Sequence, residues 1–312
     1  GLHLVYHYVR EGGAPGANCP PERLRRQIRY LVDEDYTFLT CRNVATALRN
    51  DASLPEKYVV LTFDDGLKEH RETVLPILTE FGIPATFFVI GCTLEYMFPP
   101  VIGFQVLIEK LGAERMEKEV LPAVLQGTRY APLVNLVTLE WLNQVKMRQG
   151  EPPHLRVIKY IFNDILPRAL QEEKLAEMFA RYMSDGAQEG FAAQWFLDDY
   201  DIGVLEDCGM EIGAHSMTHP RFTAIGLREV YEEIRESYER LERMERPCRE
   251  PANSFAYPFG EVYSDKIRRE VMRYFSSAWN YLVATPYMSL PPYELNNMPR
   301  IDEYHCAFFK DF

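Results

Sequence analysis

Asp64 and Asp65 stand side by side in VLTFDDGLKEH, directly after an apolar run and directly before Gly66. Neighbouring side chains of a strand point to opposite faces, so at a strand's C-terminal end two adjacent carboxylates can take different jobs. One can face a cation and the other a water. Gly66 lets the chain turn sharply behind them, although Asp-Asp-Gly alone is equally good as a plain turn. A second stretch, EIGAHSMTHP, places His215 and His219 four residues apart. Two imidazoles at that spacing converge on one ion if the backbone coils into a helical turn. Joined to one of the aspartates they make a two-histidine, one-carboxylate set with positions left open for water and substrate. Zinc is the first expectation for such a set, and cobalt, nickel or iron suit it as well.

Groups so far apart in the chain meet only if a regular scaffold brings them together. LHLVYHYV, KYVVLTF and IPATFFVIG read as strands, the last two as the continuous apolar runs of buried parallel strands. Between them PERLRRQIRYLVDE reads as a helix, with Leu24, Ile28 and Leu31 at helical spacing. TVLPILTEFG follows as another, capped by Thr73, with Pro76 in its first turn and Gly82 at its stop. Alternation of this kind predicts βα units and a parallel sheet. The rhythm breaks between about residues 95 and 195, where every segment with a pattern is helical. That span reads as a helical insertion within one domain covering residues 1–312, placed where it could narrow a cleft.

Strand signals resume with MEIGAHS, NSFAYPFG and SSAWNYLVA. LREVYEEIRESYERLERMER is an amphipathic crossover helix. Its stripe is Leu227, Ile234, Tyr238 and Leu241, and its surface pairs are Glu236–Arg240, Glu239–Arg243 and Glu242–Arg246.

The 312 residues carry 34 Lys and Arg against 46 Asp and Glu, a formal charge of −12. A field of that sign repels polyanions, which argues against nucleic acid and favours neutral or cationic partners and a bound divalent cation. The six cysteines (19, 41, 92, 208, 248 and 306) form no close pair, so neither a zinc ribbon nor a small disulfide framework is expected. No apolar run is long enough to span a membrane, and GLHLVYHYVR lacks the shape of a leader, so the expected location is cytoplasmic.

TFDDG, HSMTHP and FAYPFG together make the chain resemble the polysaccharide deacetylase (NodB homology) family of carbohydrate esterases, in the subgroup with FAYPFG as third motif. The resemblance runs over residues 2–90 and about 195–303. It implies a distorted (β/α) barrel of about seven parallel strands. It also implies metal-dependent removal of an N-acetyl group from an amino sugar or N-acetylated glycan. In that scheme Asp64 is the general base, and Asp65, His215 and His219 hold one divalent ion. The backbone N–H of Phe259, beside Tyr257, serves the developing oxyanion. The ion also answers why two aspartates tolerate each other; without it, one should protonate more easily.

The chain departs from the family pattern in places. It lacks the arginine of the usual third motif, and Arg300 in MPRID is the candidate replacement positive charge. Trp279 in FSSAWN has no accompanying aspartate and reads as core. His305 in DEYHC is the candidate general acid, without the leucine that usually precedes it, and His7 reads as a core histidine at the end of the first strand. Two other functions fit parts of the pattern: hydrolysis of an acetyl ester or a non-sugar amide or ureide, and a non-catalytic glycan-binding module. The module has no need of a water-activating base.

Overall fold

The computed structural model describes residues 1–12, 18–136, 153–183, 188–244, 253–260, 264–282, 295 and 297–302. The strands are β1 (Leu2–Tyr6), β2 (Thr37–Leu39), β3 (Tyr58–Phe63), β4 (Thr86–Val89), β5 (Glu211–Ala214), β6 (Ser254–Ala256), β7 (Ser277–Leu282) and β8 (Met298–Asp302). They are all parallel. In the order β1-β8-β7-β6-β5-β4-β3, with β3 pairing back to β1, they close a barrel of seven strands.

The distortion lies at β3. One of its edges pairs with β1 along its length; the other is shared, with β2 on Tyr58–Val60 and β4 on Thr62 and Phe63. Neither β2 nor β8 is legible in the sequence: β2 is only three residues long, and β8 contains Pro299, a residue that argues against a strand.

Period-two alternation sorts the strand side chains between two layers. Leu4 and Tyr6, Val59, Leu61 and Phe63, Phe87 and Val89, and Phe255 and Tyr257 belong to the larger apolar cluster, together with Leu24, Ile28 and Leu31 of helix α1 (Pro21–Asp33). Tyr58, Val60, Phe88, Ala256, Trp279 and Met298 form a separate cluster that fills the barrel. Trp279 is therefore core, as expected. Asp64 continues the inward series Tyr58, Val60, Thr62, and Arg300 continues that of Met298. Gly213 is inward too: a Cβ there would lie 2.7 Å from the Phe88 ring, so the phenylalanine occupies the room a side chain would need.

Three further helices flank the barrel: α2 (Cys41–Arg49), closed by a Thr40/Asn43 capping box, α3 (Leu75–Phe81) and, later in the chain, α10 (Asp265–Tyr274). α3 stops at Gly82, whose φ of 64° suits a left-handed cap. Thr73 is not its cap; the helical backbone begins earlier, as a π turn over His70–Val74. Between β4 and β5 every regular element among the described residues is a helix, apart from the isolated bridge of Phe196 to Leu67. This region includes α4 (Pro100–Leu111), α5 (Pro153–Tyr160), α6 (Arg168–Tyr182), α7 (Gln188–Trp195) and α8 (Asp199–Asp207). Much of it has an apolar cluster of its own, in which Phe104 and Phe162 stack with centroids 4.0 Å apart. That cluster includes Leu67 and Ile90, and Tyr8 and Met217 pack against it, so it lies beside the C-terminal ends of the barrel strands.

α9 (Leu227–Glu242) departs from its expected stripe. Leu227 is exposed, while Val230, Glu233, Ile234, Ser237 and Leu241 are buried. Of its expected pairs, Arg243 meets Glu239 at 3.4 Å. Arg240 instead reaches Asp199 and the carbonyl of Leu94, and Arg246 lies outside the described residues. Cys41, Cys92 and Cys208 are free thiols, and the Cys19 thiol donates to the Pro20 carbonyl and to Gln27 Oε1; Cys248 and Cys306 lie outside the described residues.

Candidate metal centre

Asp64 and Asp65 leave the end of β3, and His215 leaves the end of β5. Their arrangement does not come from strand alternation. The Asp64 N–H still donates to the Tyr6 carbonyl (2.9 Å), but Asp65 has left-handed backbone, φ 76°, and Gly66 follows at φ 64°. The chain therefore turns at the second aspartate, and both carboxylates approach the same imidazole nitrogen: His215 Nε2 lies 3.8 Å from Asp64 and 3.6 Å from Asp65.

The histidines likewise do not share a helical turn. Ser216 (φ 62°) and His219 (φ 57°) are both left-handed, and the loop folds back so that the two Nε2 atoms are 3.2 Å apart. Non-glycine residues in this region are uncommon, and they concentrate where a site fixes the backbone. Phe259, with φ 60°, is another at the rim.

The two carboxylates have opposite surroundings. Arg300, fully buried, forks onto Asp64: Nη1 donates to Oδ1 (2.6 Å) and Nη2 to Oδ2 (2.8 Å). The guanidinium is fixed in turn by Thr62 Oγ1 (3.0 Å), by the Asn280 carbonyl (3.3 Å) and by the Phe88 ring beneath it (5.1 Å). Burial alone pushes the Asp64 carboxyl up. The charge of Arg300, the neighbouring His215 and the hydrogen bonds from Arg300 outweigh it and hold Asp64 well below the usual carboxylate range. Asp65 has no such partner. Burial raises its carboxyl, with the Asp64 charge adding to the effect, and its Oδ1 is buried without a hydrogen-bond donor.

The imidazoles are set up as lone-pair donors. His215 Nδ1–H donates to the Ala256 carbonyl (2.9 Å), which turns Nε2 toward the site as an acceptor. Burial, then the neighbouring His215, drives the His219 imidazole well below its ordinary value, so it is neutral.

Asp65 Oδ1 is 3.6 Å from each Nε2, which completes a triangle of acceptor atoms with no protein cation among them. Ligand bonds of about 2.0–2.1 Å in a tetrahedral site imply ligand separations of about 3.3 Å. The orphaned oxygen, the neutral His219 imidazole, the inward-facing Nε2 of His215 and these spacings fit one divalent cation held by Asp65, His215 and His219. Mutual tolerance of the two aspartates does not rest on an ion alone, as the sequence suggested: Arg300 already neutralises Asp64.

The other candidates fall in different places. The Phe259 ring lies 4.9 Å from His219, with Arg221 stacked on it at 4.4 Å. The Tyr257 ring packs edge-on against Phe255 in the outer core, and its N–H donates to the Trp279 carbonyl. His7, read as core, is only half-buried at the end of β1, and its charge acts on Asp64, Asp65 and His219. It belongs with the site. His305 lies outside the described residues. Sequence reasoning did not reach Thr62, which steadies Arg300, or Glu233, which holds the histidine loop. A glutamate at helical spacing from Val230, Ile234 and Leu241 was the available signal for the latter.

Comparison with known proteins places these features in a family context. The profile of the polysaccharide deacetylase family matches residues 51–121 and 189–275, about half of the chain. The Bacillus subtilis protein YxkH is 32% identical over 93 residues, which are 30% of this chain and 33% of that one. The poly-beta-1,6-N-acetyl-D-glucosamine N-deacetylase of Escherichia coli is 40% identical over 72 residues, 23% of this chain and 11% of that one. The chain thus spans about a third and about a tenth of the lengths of these relatives. Among solved structures, the Streptococcus pyogenes deacetylase PplD in complex with acetate superposes with TM-score 0.58 at 16% identity, covering 96% of this chain and 91% of that one. IcaB from Ammonifex degensii gives 0.55 at 16% identity, covering 96% and 90%. At such identities the likeness is one of fold.

Proposed function

Since this chain belongs to the polysaccharide deacetylase family, we propose that it hydrolyses the N-acetyl group of an amino sugar or N-acetylated glycan, with Asp64 as general base and Asp65, His215 and His219 holding one divalent ion. The observation that carries this reading is the opposite treatment of two adjacent carboxylates. Arg300 pairs with Asp64, while Asp65 is left among acceptors. Pairs of titratable groups whose surroundings push them apart are how acid and base roles are assigned.

A divalent cation in the triangle supplies a Lewis acid that activates a water and polarises the scissile carbonyl. Zinc is the first candidate, with cobalt, nickel and iron behind it. The remaining work belongs to the chain. Arg300 keeps Asp64 ionised and fixes its plane, so that a carboxylate oxygen meets the attacking water and accepts its proton. Phe259 contributes its backbone N–H to the developing oxyanion, as the family pattern implies. His7 and His305 are the candidates for returning a proton to the leaving amine.

The test is acetate release from N-acetylglucosamine oligomers, with acetylated xylan as the ester control, alongside elemental analysis of the purified protein. Asp64→Asn should bind metal as the wild type does and lose about 10²- to 10⁴-fold in kcat. A folded, metal-loaded Asp64→Asn protein that still releases acetate at the original rate overturns the assignment. A wild type that holds metal but releases no acetate from any amide supports the glycan-binding alternative.

A further inference from the structure

The loop carrying both imidazoles is irregular, and its left-handed residues need support from outside. Part of that support comes from the segment after β4: Gly91 N–H donates to the Ser216 carbonyl (3.0 Å) and Cys92 N–H to that of Met217 (2.7 Å). Within the loop, His219 N–H donates to Ser216 Oγ (3.0 Å). The loop's middle converges on one carboxylate, that of Glu233 on α9. Glu233 Oε2 accepts the Thr218 N–H (2.7 Å), Oε1 accepts the Thr218 hydroxyl (2.6 Å), and the Met217 N–H bonds to it as well.

The side chain of Glu233 is completely buried. A buried carboxylate is costly unless it is paired and saturated with donors. The pairing cation is Arg168, at the start of α6 in the helical segment between β4 and β5, and Arg168 is itself held by Glu172 at 2.9 Å. The same helical segment meets the loop a second time: Arg221, two residues past His219, pairs with Asp164 at 2.8 Å while stacking on Phe259.

We propose that Glu233 is a positioning residue for the metal centre, setting the approach of His215 to His219 through the Met217–Thr218 backbone, and that Arg168 places this setting under the control of the helical segment between β4 and β5. The inference rests on the metal reading of Asp65, His215 and His219. A purely structural Glu233 would, when replaced, lower the melting temperature and leave the folded molecules with normal metal affinity. A positioning Glu233 alters the affinity of the folded molecules themselves.

The experiment uses the full chain, stripped of metal and titrated with Co²⁺ followed by its d–d absorption, at a temperature where circular dichroism shows every variant folded. Glu233→Gln should weaken Co²⁺ binding about 10- to 100-fold, the range for residues that orient ligands from behind, change the Co²⁺ spectrum, and lower kcat more than it changes KM. Thr218→Val removes only the hydroxyl bond and should weaken binding by a smaller factor with the same sign. Arg168→Gln should fall between them. Wild-type affinity and spectrum in folded Glu233→Gln overturn the inference. Should Glu233→Gln not fold, wild-type affinity in folded Thr218→Val overturns it. A wild-type chain that takes up no Co²⁺ or Zn²⁺ overturns the metal reading and this inference with it, whereas metal uptake that is equal in all variants overturns this inference alone.

Discussion

Asp64 and Asp65 are separated by one peptide bond and by the whole difference between a paired and an unpaired charge. The pairing residue, Arg300, enters from β8 with no exposed surface, so removing it leaves a buried carboxylate without compensation. Arg300→Met should therefore lower the unfolding free energy by about 3–5 kcal/mol, measured by urea denaturation. Arg300→Lys keeps the charge but replaces the planar fork by a point contact. It should retain most of the stability and lose about 10- to 100-fold in activity; a lysine variant with full activity would show that charge alone suffices. At this scale the sequence was informative about which residues meet and silent about how. The aspartate pair and the two histidines were legible because their types and spacing are restricted by chemistry. Arg300 was legible only as a spare cation, since its partner lies 236 positions away and a sequence does not display the inward parity shared by Thr62, Asp64 and Arg300.

The elements explain why that parity matters and where sequence periodicity misleads. Strand β3 ends in a turn rather than in another strand residue, and Gly66 makes the turn possible. A Cβ at Gly66 would lie 3.0 Å from Val89 Cγ1 and 3.3 Å from Val89 Cα, at a φ of 64° that disfavours any side chain. Val89 also takes the His215 N–H (2.9 Å), so pressure on it is transmitted to the first imidazole. Gly66→Ala should cost about 1–3 kcal/mol through backbone strain and also weaken metal uptake. Calorimetric unfolding together with a metal titration checks both; unchanged metal affinity in a destabilised variant would separate the turn from the site. The HxxxH spacing suggested a helical turn, yet left-handed residues at Ser216 and His219 reach the same convergence by a loop. Glu233 escaped notice for a related reason: its burial is created by the loop it supports, and its place on the buried stripe of α9 signals burial without showing which loop it serves.

At the scale of the whole molecule, two histidines outside the proposed centre make the folded state sensitive to acid. His3 is buried between Tyr58 and Trp279 with its Nδ1–H on the Pro299 carbonyl (2.9 Å). His70 is buried between Phe63 and Phe87 with its Nε2–H on the His7 carbonyl (2.9 Å). Burial drives both imidazoles down to about 4 from the usual 6.5. Between pH 6.5 and 4 the unfolded chain carries a proton on each ring and the folded chain does not, so the unfolded state binds more protons and stability falls with pH across this window. The loss begins just below pH 6.5, ends near pH 4, and amounts to about 3 kcal/mol for each histidine. Carboxylates titrate near the same region, and a difference measurement removes their contribution. His70→Gln can still donate to the His7 carbonyl but carries no proton equilibrium. Urea unfolding at intervals from pH 7 to pH 4 should show the variant losing about 3 kcal/mol less than the wild type, with the curves parting just below pH 6.5. Parallel curves would mean that His70 is protonated in the folded state. The bond from its ring to the His7 carbonyl would persist in that case, and the second proton would sit on Nδ1, which is buried without a hydrogen-bond partner.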